Sequence, residues 1–151
     1  MALDTTPIEV ASIVHSIQLS VAPVFLLSGI GVLLGVLTSR LARIVDRARP
    51  LEDRHTGAEP AEAADLRDRL AWLAHRARLV NIAITLSTIA ALLVALVVAL
   101  LFASTFVHFN LSLPVAALFI AAMGSLIGAL LSFLLEVRIA TRTLRIGPRD
   151  G

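Results

Sequence analysis

A chain of 151 residues that is 58% hydrophobic, with a mean hydropathy of +0.89, lies outside the range of soluble globular domains. The absence of cysteine excludes a disulfide frame, thiolate chemistry and a zinc site built on sulfur. All 13 basic residues are arginine against 11 acids, for a net charge of +2; beside such apolar stretches the expected anionic neighbour is a membrane surface, not nucleic acid.

Met1 to Ile8 carries Asp4 and no basic residue, so it lacks the positive start of a secretory signal. Val10 to Ser39 is then free of formal charge. A bilayer crossing needs roughly 20 apolar helical residues, which predicts a first span at about 17–38. Pro23 removes one backbone donor in its outer half and predicts a kink there. Gly31 and Gly35, followed by Ser39, are spaced by four, as in helices whose backbones approach closely.

The connection at about 39–81 holds nine of the arginines. Leu37, Leu41, Ile44, Val45 and Ala48 recur at helical spacing, with Arg40, Arg43 and Arg47 along one flank. The first helix is therefore expected to leave the bilayer and end at Pro50. Pro50 to Pro60, with Gly57 inside, reads as the breaker. A second helix starts near Ala61 with Pro60 at its first position, and Leu66, Leu70, Leu73 and Ala77 give it an apolar stripe. The two stripes predict an antiparallel helical hairpin on the cytoplasmic side. Trp72 lies off that stripe, one turn from both Arg69 and Arg76, where it can stack on either. Asp46 is placed for local pairs with Arg43 and Arg49.

Leu79 to Leu135 is a second uncharged run of 57 residues. It predicts a span at about 82–106, a short loop, and a span at about 113–135 opened by Pro114. Small residues recur every fourth position at Ala83, Ser87, Ala91, Ala95, Ala99 and Ala103, and again at Gly124, Gly128 and Ser132. Gly31, Gly35, Gly124 and Gly128 are the candidate helix-packing residues, whether within one chain or between copies. Residues 136–151 form a tail with the last four arginines. Every arginine thus falls on one side of the predicted spans. The positive-inside rule makes that side the cytoplasm, with the N-terminus outside and the C-terminus inside. The whole chain, 1–151, reads as a single membrane domain.

The central parts of the spans contain no ionisable residue, which argues against proton-coupled transport. Ser28 and Ser125 are the deepest polar side chains, and each can bond a carbonyl one turn back. His15, Gln18 and His108 near the outer face are a poor ligand set without a carboxylate, and His55 and His75 read as solvated. Glu136 is the informative carboxylate. It stands at the inner end of the third span, at about the depth of Arg40 and Arg43, and is the candidate for an interfacial ion pair with one of them. Arg40, Arg43 and Arg47 form a face for anionic headgroups or a cytoplasmic protein partner. No nucleophile elbow, phosphate-binding glycine loop or HExxH is present, so no catalytic residue, metal or cofactor is expected.

The stretch IQLSVAPVFLLSGIGVLLGVLTSRLARIVDRARPLE, Ile17 to Glu52, resembles the signature of the small bacterial membrane proteins called domain of unknown function twenty-seven twenty-one. RARLVNIAI, Arg76 to Ile84, and SFLLEVRIAT, Ser132 to Thr141, resemble its other segments, and TSRLARIVDRAR is the most specific. At Ile82, after Asn81, this chain departs from the family, which often has a second polar residue there. The resemblance implies a three-span protein of the bacterial inner membrane and brings no activity to transfer. The expectation is an all-α, non-enzymatic, self-associating membrane or regulatory component. A homo-oligomeric channel or pore and a membrane enzyme are the alternatives.

Overall fold

A computed structural model describes residues 7–55, 57–104 and 112–142. They form three helices, α1 Pro7–His55, α2 Pro60–Ala103 and α3 Ser112–Arg142, with no strand among the described residues. Each helix is long and apolar enough to cross a membrane. Their outward side chains suit lipid rather than water: Phe25 is 74% exposed and Leu113 79%. Multi-pass membrane insertion is the arrangement these helices suggest.

The first helix does not end at Pro50. It continues for five more residues to His55. Proline in a helix removes one bond, here to the carbonyl of Asp46, and crowds the preceding turn. Pro50 is exposed, and the neighbours Arg49, Leu51 and Glu52 are good helix formers that carry the helix past it. The break is consequently shorter than the sequence suggests. Gly57 N–H donates to the Arg54 carbonyl at 3.3 Å, and α2 opens at Pro60, where a missing N–H costs nothing. α1 also runs through Pro23, which is buried. Thr105 and Phe106, the expected end of the second span, lie outside the described residues.

Burial follows a period of seven. On α1 the buried positions are Pro23, Ile30, Leu37 and Ile44. On α2 they form two rows, Leu66, Leu73, Val80, Ser87 and Val94 beside Ala83, Ala90 and Val97. On α3 they are Ala122, Ala129 and Glu136. A seven-residue row drifts only about 20° around a helix, so a small left-handed wrap keeps it facing a neighbour. A four-residue row drifts about 40° per step. That is why the small-residue row of α2 begins buried at Ala83 and Ser87 and is exposed from Ala95 onward.

The contacts divide the chain into two compact units. One comprises the described residues within Met1–Leu33 and Ser87–Leu126; it buries Pro23, Ile30, Ser87, Ala90, Val94, Val97 and Ala122. The other comprises those within Leu34–Leu86 and Ile127–Gly151; it buries Leu37, Ile44, Leu66, Leu73, Val80, Ala83, Ala129 and Glu136. The second unit contains the break between α1 and α2 and nearly all described arginines and acids.

Candidate functional site

In the second unit the seven-residue row of α3 ends on a carboxylate. Glu136 is completely buried, and two arginines from two other helices close on it. From α1, Arg40 Nη1 donates to Glu136 Oε2 at 2.9 Å. From α2, Arg76 donates twice to Oε1, from Nη2 at 2.6 Å and from Nε at 3.1 Å. Both oxygens of the acid are thereby used, and all three helices of the unit meet at one side chain. Charge-assisted bonds of this kind are worth about 1.5–3 kcal/mol each, against a burial cost for the ions of several kcal/mol.

Each arginine also lies over an aromatic ring. Arg40 Cζ is 5.0 Å from the centre of the Phe133 ring, and Arg76 Cζ is 4.7 Å from that of Trp72. Helical spacing supplies both placements. Phe133 stands three residues before Glu136, and Trp72 four before Arg76, so each pair shares one face. A ring on one side and a carboxylate at the end leave an arginine little freedom. The ring face also offers electrostatic attraction where water is scarce.

Beside this cluster opens a cleft of about 260 Å³ lined by Arg40, Arg43, Ile44, Arg47, Arg76 and Glu136. Four arginines and one carboxylate line it. Arg43 and Arg47 are exposed and make no ion pair among the described residues. A separate apolar groove is lined by Val45, Ala48, Leu70, Leu73, Ala74 and Ala77, among others.

The other candidate residues are dispersed. Gly31, Gly35 and Gly124 face open space, where an added Cβ would meet nothing within 4 Å among the described residues. Of the four candidates, Gly128 alone is close to a neighbour among the described residues, with its Cβ position 3.1 Å from Leu86 Cδ1. Arg43 lines the cleft without touching Glu136, and Asp46 pairs with neither Arg43 nor Arg49 among the described residues. Arg69 pairs with Asp65 at 2.9 Å, leaving Trp72 to Arg76. His55 Nε2 accepts a bond from Arg67 at 3.2 Å, and Ser28 donates to the Val24 carbonyl one turn back. The side chain of His15, and His108 as a whole, lie outside the described residues.

Residues 20–146 match the model of the family described as Protein of unknown function (DUF2721). The chain belongs to this family. The DUF2721 match takes in Arg40, Arg43, Arg47, Trp72, Arg76, Phe133 and Glu136, so the whole cluster lies inside it. No curated protein and no solved structure matches the chain.

Arg76 is the member of this DUF2721 cluster that sequence reasoning missed. It reads as a stacking partner of Trp72 on a stem outside the membrane, nearly two turns before the second span. The signal was periodic. Arg76, Ala83, Ala90 and Val97 are each seven apart, which puts Arg76 on a core row of α2 just as Glu136 continues the core row of α3.

Proposed function

We propose that this protein is a non-enzymatic, self-associating component of the bacterial inner membrane, regulatory or architectural in role. It lies N-terminus out and C-terminus in, with the residues between its first two spans forming an antiparallel hairpin on the cytoplasmic side. The observation that carries the reading is the state of Glu136. The one buried carboxylate among the described residues has both oxygens filled by arginines from two other helices, so it ties the chain together and is not free as an acid or base. The one-sided arginines support the orientation, and the arginine face suits anionic headgroups or an acidic protein partner. The open space over Gly31, Gly35 and Gly124 supports self-association, since a second copy can bring its backbone close there.

Two measurements test this. Cysteines at Thr5 and Asn110 should react with a membrane-impermeant reagent from outside intact cells, and one at Gly57 should not; labelling of Gly57 from outside overturns the orientation. The mass of the purified protein in nanodiscs should correspond to more than one copy. A single copy at every concentration removes self-association, and a ring of subunits that conducts ions would replace the proposal with a pore.

A further inference from the structure

The cleft beside Glu136 has a charge pattern that its own chain does not balance. Four arginines line it against one carboxylate, a formal excess of three positive charges. Arg40 and Arg76 are held by Glu136 and by the Phe133 and Trp72 rings, so their guanidinium planes are fixed before any ligand arrives. Arg43 and Arg47 are one helical turn apart, a like-charged pair on one face that repels without a counter-ion. Neither has an ion-pair partner among the described residues. Two fixed and two free guanidinium groups around one space form a receptor for a compact anion with several oxygens.

Depth selects where that anion is held. The uncharged stretches of the three helices end at Ser39 before Arg40, at Leu79 after Arg78, and at Leu135 before Glu136. The cleft therefore starts where the apolar surface stops. From Arg40 to Arg47 the helix rises about 10 Å, enough to pass through the headgroup layer of one leaflet, which is about 5–8 Å deep. We propose that the cleft is a binding site for a phosphate monoester or phosphate at the membrane boundary, with Arg43 and Arg47 as its contacts. Glu136 acts as the positioning residue that holds Arg40 and Arg76 in the wall of the cleft. This deepens the headgroup contact proposed above by naming its chemistry and its residues.

The purified full-length chain in dodecyl maltoside can be titrated with dioleoyl phosphatidic acid, with diacylglycerol as the same lipid lacking phosphate, and with inorganic phosphate. Binding is read as a shift in thermal midpoint. Phosphatidic acid should stabilise the protein and diacylglycerol should not. Arg43→Gln/Arg47→Gln should weaken binding at least about ten-fold, since each charge-assisted bond lost is worth roughly that factor. Arg78→Gln/Arg138→Gln removes the same charge from exposed arginines outside the cleft, and should change binding less than about two-fold if attraction is local. Both double variants leave the Glu136 cluster intact, and Arg47→Gln alone serves if the first double fails to fold. A response to inorganic phosphate that is lost in the Arg43/Arg47 variant supports the same chemistry with a soluble source. Equal losses in the two double variants, an unchanged affinity in the Arg43/Arg47 variant, or no response to either phosphate probe overturns the proposal. The detergent measurement holds whichever way the chain faces, so its failure and a failure of the topology are separate results.

Discussion

Glu136→Gln is expected to destabilise the protein by about 3–5 kcal/mol, the range for breaking a buried ion pair from one side. The substitution keeps the shape and removes the charge. Arg76, only 11% exposed, is then left beside a neutral amide with little water to replace the carboxylate. Arg40 is 33% exposed and recovers more of its solvation, so Arg76→Gln should cost more than Arg40→Gln. Reversible unfolding in mixed micelles, run as double-mutant cycles, should give strong coupling of Glu136 to Arg76, weaker coupling to Arg40, and none to Arg43. Replacing all three residues by leucine should restore much of the loss, because the burial cost of the ions disappears together with their attraction. If the triple variant is as unstable as Glu136→Gln, packing around the cluster rather than charge accounts for its effect.

The second large effect is expected at the buried alanines. Ala90 in one unit and Ala129 in the other are completely enclosed. Ala90→Leu and Ala129→Leu should each cost about 1–3 kcal/mol, since extra volume in a filled core forces side chains off their rotamers and backbones apart. Gly31→Leu and Gly35→Leu add more volume still, yet open space lies over both positions and leucine favours a helix over glycine, so a single chain should lose no stability. Those two variants should act only on the mass of the assembly in nanodiscs. Gly128→Ala falls between, because the atom in its way is the mobile end of Leu86 and can yield. A loss of single-chain stability in the Gly31 and Gly35 variants equal to that at Ala129 would place those glycines in the core.

The three long apolar helices were legible because a bilayer tolerates no unpaired charge, so an uncharged run of sufficient length marks each of them. The relation of Glu136 to Arg40 could be read for the same reason: two opposite charges that stop at the same depth on different helices can meet. The end of α1 was misplaced because a single proline is a strong local signal, while five residues of favourable helix beyond it are a weak but summed one. Arg76 was hidden by composition. An arginine among arginines looks solvated, and only the seven-residue rows distinguish the one that turns inward. The glycine spacing carried too little information to choose a face. Gly31 and Gly128 each belong to a four-residue row, yet open space lies over one and Leu86 close to the other.

The order of synthesis gives the Glu136 cluster a further meaning. Arg40 and Arg76 lie on the first two helices to be made, and their counter-charge comes only with the third. Until α3 arrives, the nascent chain holds these two arginines without the carboxylate that closes on both in the folded protein. A translation product that stops short of Glu136 never gains that carboxylate. Its first two helices should therefore hold together less firmly than those of the finished chain, for want of a single acid.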